Sequence, residues 1–149
     1  MRLMRLLLIH GPNLNTLGSR EPVMYGTTTL PEIEAAVAAR ASVAGADIRA
    51  FQSNHEGGII DWLQQEQGGA DGILINAGAL THTSVALRDA IAGAALPTVE
   101  VHISNVWKRE SFRHESYLSP VVNGVIAGLG VHGYLLAVDA LAAMIKGSK

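Results

Sequence analysis

Short apolar runs and segments of helical period alternate along the chain, with no repeat, linker or low-complexity stretch between them. Residues 6–9 (Leu-Leu-Leu-Ile) and 73–75 (Ile-Leu-Ile) are apolar at every position, as strands covered on both faces should be. Residues 46–52 instead set Ile48 and Ala50 against Asp47 and Arg49, which suits a less buried edge strand. Residues 97–103 and 121–126 predict two further strands. Thr29-Leu30-Pro31-Glu32 has the spacing of a capping box and opens a helix whose Leu30, Ile33 and Val37 share one face. Helices follow at 58–67, packing Ile59, Trp62 and Leu63, and at 84–92. A last helix carries Leu135, Val138, Leu141 and Ile145 inward.

This strict alternation of strand and helix predicts one α/β domain over residues 1–149. Helices cover both faces of a five-stranded parallel sheet. The expected arrangement is a flavodoxin-like three-layer fold with strand order 2-1-3-4-5, its ligand crevice lying beyond the carboxyl ends of the strands.

Three of those strand ends turn polar together. Asn13 and Asn15 follow the first strand, Asn76 the third, and Glu100, His102 and Ser104 alternate along the fourth. Glu100 and His102 fall on the same face, about 6.5–7 Å apart at ordinary strand rise. A carboxylate there can take a hydrogen bond from one imidazole nitrogen and leave the other to give a proton to a ligand. A satisfied buried pair with a purely structural role fits the same spacing. The loop from Asn13 to Thr27 carries Arg20 and Tyr25 between Gly18 and Gly26, long enough for a functional lid. Arginine beside a phenol favours phenolate, although the residues alone favour a packed tyrosine and a solvated arginine. Arg113 could hold a carboxylate through its planar fork, or lie in a solvated loop or a subunit contact. His82, just before a helix start, suits an anion site or a plain cap.

Composition narrows the choice. Net charge is −2 with no Lys/Arg run, which gives no footprint for nucleic acid. There is no cysteine, so disulfides, thiol catalysis and thiolate metal sites are excluded, and the six histidines lack zinc-site spacing. No phosphate-binding glycine loop is present. No stretch has the length of a membrane span or a signal peptide, so a cytoplasmic protein is expected. The only lysines are Lys108, Lys146 and Lys149, none in a setting that suits a Schiff base. Charged residues make up 16% against ~25% in typical soluble domains, which points to surface buried in an oligomer.

Eight segments carry a resemblance over nearly the whole chain: G-P-N-L-N (11–15), R-E-P (20–22), Y-G (25–26), Q-S-N-H-E-G (52–57), N-A-G-A-L-T-H-T-S-V-A-L-R-D-A (76–90), E-V-H-I-S-N (100–105), R-E-x-F-R (109–113) and S-Y-L-S-P (116–120). In this order and spacing they resemble the type II 3-dehydroquinate dehydratases. The resemblance implies cofactor-free and metal-free conversion of 3-dehydroquinate to 3-dehydroshikimate and water, in the shikimate pathway or quinate catabolism. It implies Tyr25 as the base, Arg20 as its electrostatic partner, and Asn13 as a stabiliser of the enolate. His102 would be the acid, oriented by Glu100. Asn76, His82, Ile103, Ser104 and Arg113 would hold substrate, and Asp89 would reach in from a neighbouring subunit of a homododecamer built from trimers. Arg109 matches a lid arginine ranked behind Arg20. His10 replaces the more frequent asparagine, and its role stays open; Ala77 replaces a frequent proline. The rival classes are a non-catalytic or flavin-binding flavodoxin-like module and a structural oligomer.

Overall fold

Five strands pair in parallel in the order β2-β1-β3-β4-β5. They are β1 (Met4–His10), β2 (Ala46–Gln52), β3 (Gly72–Asn76), β4 (Thr98–His102) and β5 (Gly124–Ala127). The computed structural model describes residues 2–147; Met1, Ser148 and Lys149, among them one of the three lysines, lie outside that range. Leu6 to Ile9 and Ile73 to Ile75 are fully buried, because β1 pairs with both β2 and β3 and helices cover both faces. The more polar β2 takes the edge, as its alternation predicts.

Among the described residues there are five α-helices: α1 (Pro22–Tyr25), α2 (Leu30–Val43), α3 (Glu56–Glu66), α4 (Val85–Ala94) and α5 (His132–Gly147). Leu6, Leu8, Leu74, Val99 and Val101 pack against α2 and α5. Leu7, Ile9, Ile73 and Ile75 pack against α3 and α4. Alternate residues of each strand therefore feed two separate cores, which is the three-layer arrangement expected from the sequence. The capping box forms as predicted: Thr29 Oγ1 accepts from the Glu32 N–H, and Glu32 Oε1 accepts from the Thr29 N–H.

The differences are local and have physical causes. The short helix α1 was not legible, since Glu21 enters it through a left-handed backbone and none of its four residues is buried. The fifth strand starts at Gly124 rather than 121. Residues 119–121 form a 3-10 turn, and Val121 and Val122 pack on the α3–α4 core. On α5 the deepest side chain of the first turn is Tyr134, fully buried, while Leu135 is only half-buried.

At the carboxyl end of the sheet the first and third strand loops meet backbone to backbone. The Gly11 N–H donates to the Asn76 carbonyl at 2.8 Å, and a Cβ on Gly11 would lie 2.1 Å from the Ala77 carbonyl oxygen. Only glycine permits that approach.

His10, the last residue of β1, turns into the α2–α5 layer and is fully buried. Among the described residues neither ring nitrogen has a hydrogen-bond partner. Its ring lies 6.2 Å from that of Tyr134, and Nε2 is 3.9 Å from the Glu34 carboxylate. Burial pushes the His10 imidazole down from 6.5 to about 4, while burial holds the Glu34 carboxyl above its usual range. Between these two His10 values the unfolded chain binds a proton that the folded chain refuses, so stability falls as the pH drops through the window. The full loss is roughly 3 kcal/mol by about pH 4. Urea midpoints of wild type should therefore fall more steeply on acidification than those of His10→Asn. Parallel curves for the two proteins would contradict the assignment of a neutral buried His10.

Candidate active site

The alternation of β4 places Glu100 and His102 on the face opposite Val99 and Val101, and the two side chains meet. Glu100 is fully buried, so each carboxylate oxygen needs donors. His102 Nε2 donates to Oε2 at 2.5 Å, and Thr81 Oγ1 donates to the same oxygen at 3.2 Å. Ser116 Oγ donates to Oε2 at 2.9 Å, and Ser119 Oγ to Oε1 at 2.9 Å. Burial alone would push the Glu100 carboxyl up. The hydrogen bond and charge of His102, with the hydroxyls of Ser119 and Ser116, outweigh burial and hold it below the usual carboxyl range. An ionised Glu100 fixes the His102 ring and leaves Nδ1 for a ligand. His82 stacks on His102 with ring centroids 6.4 Å apart. Its Nδ1 donates to the Glu115 carbonyl at 2.7 Å, so its Nε2 is an acceptor in the neutral ring.

The lid supplies the opposite wall. Arg109 Nη1 donates to the Tyr25 hydroxyl at 2.8 Å and lies 3.3 Å from Ser104 Oγ. The Arg20 guanidinium sits over the Tyr25 ring, 4.6 Å from its centroid. The two arginines thus divide the phenol between them: Arg109 touches its oxygen, and Arg20 covers its ring. Both place positive charge where negative charge would develop on a phenol that loses its proton. His114 Nε2 donates to the Arg109 carbonyl at 2.9 Å and anchors this segment.

One chamber is lined by Tyr25, Arg20, Arg109 and Asn13 on the lid side, and by His102, Ile103 and Ser104 from β4 and the segment after it. Asn76, His82 and Arg113 close it. Asn13 adopts a left-handed backbone (φ 72°), which asparagine tolerates better than most residues. Its N–H donates to Asn54 Oδ1 at 3.0 Å. Asn76 donates through Nδ2 to the Tyr134 hydroxyl at 2.8 Å and accepts the Gly78 N–H through Oδ1. Arg113 is held by Glu110 at 2.9 Å. Of the residues to which the resemblance gives a catalytic or binding role, two do not line the chamber. Glu100 stands behind His102, and Asp89 lies exposed on α4 beside Arg88. His10 is not part of it either.

Sequence reasoning missed Thr81, Ser116 and Ser119 as partners of Glu100, Asn54 beneath Asn13, and Tyr134 beneath Asn76. A buried carboxylate requires donors, and serines spaced three apart in the 116–120 segment were the available signal. Among the described residues no group of three or more metal-ligating side chains is gathered.

This geometry defines an α/β protein with an acid–base site at the strand ends of a flavodoxin-like sheet, an imidazole on one wall and a phenol under arginine on the other. The chain belongs to the class II dehydroquinase family, whose model matches residues 4–142. It is 56% identical over 147 residues to a 3-dehydroquinate dehydratase of Nostoc sp., covering 99% of this chain and 100% of that protein. It is 55% identical over 141 residues to a catabolic 3-dehydroquinase 1 of Neosartorya fischeri, covering 95% of this chain and 94% of that one. The crystal structure of a type II dehydroquinase from Propionibacterium acnes superposes with a TM-score of 0.91 at 39% identity, covering 95% of this chain and 98% of that chain.

Replacing both serines by alanine (Ser116→Ala with Ser119→Ala) strips two donors from Glu100 and raises its pKa. If the carboxylate must be ionised to orient His102, the acid limb of kcat/KM against pH moves to higher pH. A limb that stays in place would show that the two hydroxyls do not tune the pair.

Proposed function

We propose that the protein is a 3-dehydroquinate dehydratase that forms 3-dehydroshikimate and water without a cofactor. The observation that carries this reading is that Tyr25 and His102 line one chamber, each with its charge partner in contact. The Tyr25 oxygen takes a proton from the carbon beside the substrate ketone, and the electron pair of that C–H bond enters the carbonyl as an enolate. Arg109 and Arg20 offset the charge on the Tyr25 side, and Asn13 stabilises the enolate. Collapse of the enolate expels the hydroxyl, which takes its proton from His102 and leaves as water. Tyr25 ends protonated and His102 deprotonated, so one proton passes back through solvent in each turnover.

Arg113 holds the substrate carboxylate, with Ser104, Ile103, His82 and Asn76 around the ring. A Schiff-base route is disfavoured because Lys108 and Lys146 are both exposed and neither lines the chamber. We assign the assembly to trimers, four to a homododecamer, in which Asp89 of the partner subunit completes each chamber. The low charge fraction and the exposed Trp107, Phe112 and Val125 support an oligomer. One catalytic domain and a cytoplasmic location complete the reading. No helix among the described residues is long and apolar enough to cross a membrane.

Metal-free protein mixed with 3-dehydroquinate should produce the ultraviolet absorbance of a conjugated enone, and no rise from folded oligomer would sink the proposal. Tyr25→Phe and His102→Ala should each cut kcat by roughly 10²–10⁴-fold with assembly intact; Tyr25→Phe should leave Tm in place, whereas His102→Ala strips a donor from the buried Glu100 and should lower it. Arg113→Ala should act chiefly on KM; an unchanged KM would remove Arg113 from the carboxylate.

A further inference from the structure

We propose that Tyr134 is a positioning residue for this chamber: its buried hydroxyl anchors the Asn76 amide so that Asn76 turns its second N–H donor to a ligand. The inference rests on the reading of Asn76 as a substrate-holding residue and extends it to a residue outside the chamber.

An asparagine amide has two N–H bonds and one oxygen to place. The Oδ1 of Asn76 accepts the Gly78 N–H at 3.1 Å, which decides which end of the amide is oxygen. Turned over, the NH2 would face another donor. One N–H of Nδ2 goes to the Tyr134 hydroxyl at 2.8 Å, which stops the amide plane from swinging about the Gly78 contact. What remains is the second N–H, on a side chain that lines the chamber beside His82 and His102. Its partner on a ligand must be an oxygen lone pair, from a carboxylate or from a hydroxyl acting as acceptor. The Asn76 backbone is equally fixed, since its carbonyl accepts the Gly11 N–H.

The setting of Tyr134 favours this role over simple packing. Its ring is fully buried in the α2–α5 layer, among Val101, Val138 and other apolar side chains. Among the described residues the hydroxyl has one hydrogen-bond partner, Asn76. Phenylalanine would fill the layer without bringing a polar atom into it, so the hydroxyl costs desolvation that the Asn76 bond offsets. Burial also pushes the phenol far above its ordinary range, so Tyr134 stays neutral and serves as a fixed dipole rather than as a second base.

The test compares wild type with Tyr134→Phe, Asn76→Ala and the double variant in steady-state dehydration of 3-dehydroquinate, alongside Tm. Asn76→Ala should raise KM about tenfold or more, and Tyr134→Phe should raise it roughly 3- to 10-fold with kcat near wild type. The double variant should match Asn76→Ala alone, because Tyr134 acts only through that amide. A Tyr134→Phe protein with lowered Tm and wild-type KM, or effects that multiply in the double variant, would overturn the positioning role while leaving Asn76 as a binding residue. An unchanged KM in Asn76→Ala would overturn the reading of Asn76 itself. A second variant guards against loss of folding. Asn76→Asp keeps an oxygen for Gly78 and lets Tyr134 donate, but shows the ligand an acceptor. It should fold and still bind weakly, and wild-type KM in this variant would contradict the donor assignment.

Discussion

The wall that carries His102 at the carboxyl end of this sheet is arranged around one buried charge, that of Glu100. A carboxylate with no exposure costs several kcal/mol unless its oxygens are saturated with donors. Glu100 is saturated from four places: His102 on its own strand, Thr81 after β3, and Ser116 and Ser119 in the loop before β5. These donors come from segments far apart in sequence. Satisfying the charge therefore draws two connections against the end of β4 and builds the wall that carries His102. Ser116 also accepts the N–H groups of Leu118 and Ser119, so the loop that serves the carboxylate is itself held in shape.

The opposite wall depends on chain geometry more than on charge. The glycine contact between Gly11 and Ala77 lets two strand loops touch, and Asn13 follows in a left-handed turn. From there the chain runs out as the lid and returns with Tyr25 beneath two arginines. A rigid imidazole on a strand thus faces a phenol on a connecting segment. That division suits an elimination in which a ligand must enter before base and acid can act on it.

Most of this was legible in the sequence because it follows from periodicity. Apolar runs identified the central strands, alternation identified the edge at β2, and period two put Glu100 and His102 on one face. What the sequence could not show depends on contacts between distant segments. Tyr134 and Leu135 are adjacent on an apolar helix, and only the packing angle of α5 decides which one enters the core. Arg109 and Arg20 are both lid arginines, and only the fold of the loop brings Arg109 to the hydroxyl. The serines of Glu100 lie 16 and 19 residues beyond it, too far for any local rule. Asp89 faces outward on α4, away from the chamber of its own chain.

The central claim is that Glu100 works as an ionised carboxylate holding His102 ready as the acid. Glu100→Gln tests it most directly, because it keeps the side chain's shape and two polar ends and removes the charge. With fold and oligomer retained, kcat for 3-dehydroquinate should fall by about 100-fold or more. A Glu100→Gln protein that turns over within twofold of wild type would contradict the account.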